Sequence, residues 1–170
     1  MKKKLKIALQ MDPLEELNLN GDTTFILGLE ALERGFDLFF YSPNNLVYKN
    51  GIVYASTKIL ELGFKNGKEV FSYGEGKILK LSSFDVILMR QDPPFNMSYI
   101  TATHLLEKIT SKTLVLNNPF HVRNAPEKIF VTEFSKFMPE TLITRDTNEI
   151  IKFKKKNTNI IIKPIYGNGG

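Results

Sequence analysis

Arg90 and Asp92 lie in the run Arg90-Gln91-Asp92-Pro93-Pro94-Phe95, directly after the apolar stretch Phe84-Asp85-Val86-Ile87-Leu88-Met89. An arginine carries a permanent charge and can fork onto a carboxylate or a phosphate. Two consecutive prolines fix φ and remove two backbone donors, so the loop that carries Arg90 and Asp92 is stiff. Asp12 holds the matching place after an earlier apolar stretch, just ahead of Pro13. Two such loops facing one crevice would make a site. The alternative is two unrelated turns, with Arg90 and Asp92 pairing only with each other.

A second group of candidates lies near the end of the sequence. Ile160-Ile161-Ile162-Lys163-Pro164 reads as a buried strand that delivers a lysine, and Tyr166-Gly167-Asn168-Gly169-Gly170 follows it. A glycine-rich loop lets backbone amides approach phosphate oxygens, and an adjacent lysine adds a point charge. No Gly-Lys-Ser/Thr is present and the lysine precedes the glycines, so this is not a Walker loop. Nor is it a Rossmann fingerprint, because no helix follows the glycines. A hairpin or a loose tail is the competing reading. Lys128 falls in the first turn of an expected helix, where a cation opposes the dipole unless an anion sits there; otherwise it is simply solvated. His104 reads as a packed or surface histidine, not a base.

The elements that must position these residues follow from apolar patterning. Residues 4–11 form a first strand, and Asp22 or Thr23 caps a helix with Phe25, Ile26, Leu29, Ala31 and Leu32 on its apolar face, stopped by Gly35. Residues 37–42 are the second strand, which completes a strand-helix-strand unit. Leu46-Val47-Tyr48 and Ile52-Val53-Tyr54 flank Asn50-Gly51, a hairpin signature. Residues 57–70 read as irregular, and Tyr73-Gly74-Glu75-Gly76 as a turn. The run 84–89 is a short apolar segment suited to a central strand covered on both faces, and open α/β sheets collect ligands past the carboxyl ends of such strands. Ser98 caps a helix over 99–110, residues 113–116 form another strand, and Pro126 stands at or near the first position of a helix carrying Ile129, Phe130, Phe134 and Phe137. Strands are expected at 139–143 and 159–162, around a helix capped by Asp146 or Thr147 that runs to Lys156.

With 170 residues, 42% hydrophobic and 24% charged, the sequence has the composition of an ordinary globular protein with one good core and room for the start of a second domain. It contains no cysteine, which excludes disulfides and thiolate chemistry, and its two histidines make a poor metal site. No apolar run is long enough to cross a membrane, and the Lys-rich start is read as a strand and not as a targeting peptide; the cysteine-free composition fits a reducing cytoplasm, the location expected. The net charge of +5 raises the question of nucleic acid. The basic residues are spread, apart from Lys2 to Lys4 and the group Lys152, Lys154, Lys155 and Lys156, and no nucleic-acid-binding motif accompanies them. Anionic small molecules suit the balance equally well, and neither nucleic acid nor membrane is expected as a partner.

Taken in order, Met11-Asp12-Pro13, the run from Val86 to Phe95, Asn118-Pro119, Glu127-Lys128, Pro139-Glu140-Thr141 and Ile162-Lys163-Pro164 with Gly167-Asn168-Gly169-Gly170 resemble the amino-terminal part of bacterial glutathione synthetases, which are ATP-grasp ligases. The Arg-x-Asp-Pro-Pro-Phe run is the part most specific to that family, and the lysine-glycine ending is shared more widely among ATP-grasp enzymes. The resemblance implies an α/β fold, with a parallel-sheet pre-ATP-grasp domain over 1–127 and the beginning of an ATP-grasp domain over 128–170. It implies ATP-dependent activation of γ-glutamylcysteine as an acyl phosphate, which the amine of glycine then attacks to give glutathione. By similarity, Lys128, Lys163, Gly167, Asn168, Gly169 and Gly170 would bind ATP, while Arg90, Asp12 and Asp92 would line the γ-glutamylcysteine side. Magnesium would be required, but its acidic ligands and the active-centre arginines belong to a carboxyl-terminal region outside these 170 residues, which are therefore expected to be an inactive fragment with no catalytic or metal-binding residue of its own. A homo-oligomer is a family-level expectation. The competing functions are another ATP-grasp carboxylate–amine ligase and a non-catalytic binding or oligomerisation module.

Overall fold

The computed structural model describes residues 4–166, and the chain divides into two compact units, Met1–Asn124 and Ala125–Gly170. In the first unit a sheet is built around β1 (Lys6–Gln10), with β2 (Asp37–Tyr41) on one side and β6 (Val86–Met89) on the other, both parallel to it. The last parallel strand, β7 (Leu114–Leu116), pairs with β6. Three antiparallel strands extend the β2 side: β3 (Leu46–Lys49), β4 (Ile52–Lys65) and β5 (Lys68–Lys80), with β4 pairing β2, β3 and β5. The parallel centre expected from the sequence is present, and the antiparallel addition is larger than one hairpin.

The chain leaves β1 through α1 (Thr23–Glu33) towards β2, and leaves β6 through α2 (Met97–Glu107) towards β7. These crossovers run in opposite directions across the sheet, and parallel crossovers share one hand, so the two helices cover opposite faces. The core confirms this. Ile7 and Leu9 of β1, Leu38 and Phe40 of β2 and Ala31 of α1 form one apolar cluster. Ala8, Tyr41, Ile87 and Met89 point the other way and pack with Leu106 and Ile109 of the α2 side. Strand alternation thus feeds two cores from one set of strands. Gly28 lets α1 lie close to its face, since a Cβ there would stand 2.5 Å from Leu62 Cδ1 and 3.2 Å from Leu38 Cδ2.

Several expectations need correction. Residues 57–70 are not irregular: they complete β4 and begin β5, a long hairpin turned at Asn66-Gly67 with both residues at positive φ (53° and 74°). Tyr73 to Gly76 is not a turn but lies within β5, where Gly74 and Glu75 together stand opposite the single residue Ile59 of β4, a bulge in β5. The irregularity shows in the burial pattern of β4 as well. Val53, Ala55 and Thr57 are buried in strict alternation, and the next buried position is Leu60, so the period of two slips by one residue. Helix α1 buries Phe25, Gly28 and Ala31, while Ile26 is exposed. Asn96, not Ser98, caps α2, its side chain accepting the Tyr99 N–H at 3.1 Å, and the helix ends at Glu107. The short helix α3 (Pro119–Asn124) was not anticipated; Asn118 accepts the Phe120 N–H at its start, and Arg123 pairs with Glu107 of α2 at 2.6 Å.

In the second unit, Pro126 occupies the N-cap of α4 (Glu127–Phe130), which continues as a 3-10 helix over Val131–Phe137. Asp146 caps α5 (Thr147–Lys156), accepting the Asn148 N–H at 2.8 Å. The strands expected at 139–143 and 159–162 are not formed: these segments pair with nothing among the described residues, and Ile161 and Ile162 are 84% and 72% exposed. An apolar run makes a strand only where a ladder partner satisfies its backbone.

Candidate functional site

Strand order reverses at β1, since β2 lies on one side and β6 on the other. The carboxyl ends of β1 and β6 thus form a topological switch point, the place where open α/β sheets collect ligands. Asp12 follows β1, and Arg90 and Asp92 follow β6, so all three lie in the two loops at the carboxyl ends of neighbouring strands. The contacts are direct. Asp12 Oδ2 accepts the Asp92 N–H at 2.7 Å, the Arg90 N–H donates to the Gln10 carbonyl at 2.7 Å, and the Gln10 amide donates to Gln91 Oε1. Pro93 and Pro94 have no N–H to offer, so the Asp92 amide is the last donor of this loop before Phe95, and Asp12 takes it.

The two residues do not simply pair with each other. The Arg90 guanidinium reaches instead to the first turn of α1, where Nε donates to Thr24 Oγ1 at 2.9 Å and Nη2 to Thr23 Oγ1 at 2.7 Å. A cation gains nothing from the positive end of a helix; the two hydroxyl acceptors hold it there. Asp22 sets that turn, its Oδ1 accepting the N–H groups of Thr24 (2.7 Å) and Phe25 (2.9 Å). Arg90 remains exposed.

Thr23, Thr24 and Tyr99 were not among the residues expected in this site. Tyr99 stands on the first turn of α2, its ring 5.1 Å from that of Phe95. Its phenol is pushed above 10, first by burial and then by the negative charge of Asp92; Arg90 opposes that shift and Asp12 adds to it. The phenol therefore belongs to the same electrostatic cluster as the three expected residues. The signal available in the sequence was Asn96, a cap three residues before a tyrosine. His104 is exposed on α2 and takes no part.

The lysines belong to the second unit. Lys128, on α4, donates its Nζ to the Pro164 carbonyl, which brings it against the segment that carries Lys163. Lys163 itself is exposed, outside any helix or strand. The expected loop residues Gly167, Asn168, Gly169 and Gly170 lie outside the described residues. Among the described residues no group of three His, Cys, Asp or Glu side chains converges to hold a metal ion. No helix among the described residues is long and apolar enough to cross a membrane.

The sequence model for the prokaryotic glutathione synthetase N-terminal domain matches residues 5–123, and that for the ATP-grasp domain of the same enzymes matches residues 127–170. The chain is 53% identical over 166 residues to the glutathione synthetase of Brucella melitensis, covering 98% of this chain and 53% of that protein. It is 52% identical over 170 residues to that of Agrobacterium fabrum, and 40% identical over 167 residues to that of Escherichia coli O157:H7. In each case it spans 53% of the relative's length. A family model over most of the sequence, continued in order by the start of the next domain, leaves one assignment: this chain belongs to the prokaryotic glutathione synthetase family.

Proposed function

We propose that this chain supplies the dipeptide-binding side, and the start of the nucleotide-binding side, of an ATP-dependent ligase that joins γ-glutamylcysteine to glycine. In this reading residues 1–127 form the pre-ATP-grasp domain and residues 128–170 open the ATP-grasp domain. ATP phosphorylates the cysteinyl carboxylate of the dipeptide, and the amine of glycine displaces phosphate from the acyl phosphate, leaving glutathione, ADP and phosphate. Arg90 binds a carboxylate of the dipeptide, with Asp12 and Asp92 beside it to meet its amine or amide N–H groups. Lys128 and Lys163 neutralise ATP phosphates, and Gly167, Asn168, Gly169 and Gly170 close over them with backbone amides. Magnesium would neutralise phosphate charge when bound. The enzyme is cytoplasmic and homo-oligomeric, and the 170 residues by themselves form no glutathione.

One observation carries the reading: a permanently charged guanidinium and two carboxylates meet at the topological switch point of a chain whose family is fixed. Phosphoryl transfer to a carboxylate depends on positioning and charge neutralisation more than on a protein nucleophile, and the described residues offer positioners and cations. The test is ADP release by the protein carried to the full length of its relatives, with γ-glutamylcysteine, with and without glycine. Dependence on both, with glutathione as product, is expected. Release that ignores glycine but responds to another amine would replace the acceptor. Absence of turnover with any acceptor would overturn the ligase in favour of a binding module.

A further inference from the structure

We infer that Thr23 and Thr24 are positioning residues for substrate binding: their hydroxyls occupy the side edge of the Arg90 guanidinium and turn its end edge towards an incoming carboxylate. The inference rests on the assignment of Arg90 to the dipeptide and goes on to name the edge used and the residues that select it.

A guanidinium has two forks able to receive both oxygens of a carboxylate, one formed by Nε and Nη2 along its side and one formed by Nη1 and Nη2 at its end. Thr24 Oγ1 takes Nε at 2.9 Å and Thr23 Oγ1 takes Nη2 at 2.7 Å, so the side fork is spent within the protein. No bond from Nη1 is made among the described residues, and the side chain is exposed. The end fork is therefore the one presented to solvent. The two acceptors differ in setting. Thr24 is 2% exposed and cannot move without disturbing the face that α1 packs on, whereas Thr23 is exposed. Thr24 fixes where the guanidinium plane lies, and Thr23 fixes its rotation about the Nε axis. A free arginine side chain loses rotamer freedom when it binds an anion; one already clamped has lost it on folding, and the saving appears as affinity.

The experiment uses the full-length enzyme and compares Thr23→Val, Thr24→Val, Thr24→Ser and Arg90→Ala. Each valine keeps the shape of threonine and removes the acceptor. Thr23→Val and Thr24→Val are each expected to raise the KM for γ-glutamylcysteine about three- to tenfold, with the KM for ATP and the thermal midpoint little changed for the exposed Thr23. Thr24→Ser, which restores the oxygen, is expected to return the KM to within about twofold of the parent. In an Arg90→Ala background the valine substitutions should add nothing further, because the residue they position is gone. If Arg90→Ala raises the dipeptide KM while both valines leave it unchanged, the positioning role is refuted and the Arg90 assignment stands. If Arg90→Ala leaves the dipeptide KM unchanged, the Arg90 assignment itself fails.

Discussion

Removing the carboxylate of Asp22 should loosen the turn on which the Arg90 contacts depend, and the size of the loss can be worked from two hydrogen bonds. Asp22 precedes α1 in extended conformation (φ −72°, ψ 120°), and one of its oxygens accepts the amides of Thr24 and Phe25. Asp22→Ala leaves both donors to water or to nothing, which costs about 1–2 kcal/mol at an N-cap. It also removes a negative charge from the positive end of α1, worth about 0.3–1 kcal/mol. The total is about 2 kcal/mol, or roughly 4–8 °C in Tm for a chain of this size. Asp22→Asn keeps the acceptor and loses only the charge, so its cost is about 0.5 kcal/mol, roughly 1–2 °C. Thermal unfolding followed by circular dichroism, together with urea midpoints, separates the two. Equal losses in the alanine and asparagine variants would mean that the charge and not the hydrogen bond does the capping; no loss in the alanine variant would refute the capping account altogether. A functional consequence follows from the same geometry: the alanine variant, but not the asparagine variant, should weaken dipeptide binding by the full-length enzyme, because Thr23 and Thr24 lie on the turn that frays.

Three further outcomes are expected. Tyr41 is fully buried, its hydroxyl has no protein partner among the described residues, and burial pushes its phenol well above 10; the unfolded chain therefore loses this proton first, and stability falls as pH rises past about 10, with Tyr73 and Tyr99 adding to the slope. Tyr41→Phe should raise the urea midpoint at neutral pH, by about 1 kcal/mol of stability, and flatten the alkaline fall; a lower neutral midpoint would show that the hydroxyl is bonded. Lys163→Ala in the full-length enzyme should raise the KM for ATP by about tenfold or more and leave that for γ-glutamylcysteine nearly unchanged, and equal effects on both would count against a phosphate role. Finally, among the described residues both apolar clusters draw on residues up to Val122, so a peptide of residues 1–124 should fold with a Tm within about 3 °C of the 170-residue chain, and an unfolded peptide would refute the independence of that core.

The parallel centre of the sheet was legible because its strands are short apolar runs bounded by turn residues, and a run such as 86–89 has few other uses. Asp12, Arg90 and Asp92 were legible for the same reason: a polar cluster just past such a run must lie at the strand's carboxyl end. The long hairpin was not, because the register shift between Lys58 and Leu60 breaks the alternation that identifies strands, and Gly74 and Gly76 imitate a turn while sitting within β5. Asn66-Gly67 carries the turn signal of this hairpin, but within a stretch whose mixed residues show no clear strand period. The strands expected at 139–143 and 159–162 show the limit of propensity. Their apolar residues fit strands, but a strand is a relation between two segments, and one segment cannot state whether its partner is present.

The candidate-site residues that the sequence does not single out share a location, and topology accounts for it. Thr23 and Thr24 begin α1, Tyr99 lies in the first turn of α2, and each follows a capping residue, Asp22 or Asn96. In a linear sequence such residues look fully employed, because polar side chains near a helix start commonly serve the local backbone. A parallel strand, however, delivers its chain to the same edge of the sheet on which the next helix begins. Where two neighbouring strands send their helices to opposite faces, the first turns of both helices flank the crevice between the strand ends. Arg90 makes the consequence concrete: it leaves β6, whose own helix is α2, and bonds the first turn of α1, which belongs to β1. The strand-end loop supplies the charge and the helix start of the neighbouring unit aims it. In a doubly wound sheet, candidate residues should therefore be sought in both places together, and a polar first-turn residue after a central strand weighed as part of the site before it is set aside as a cap.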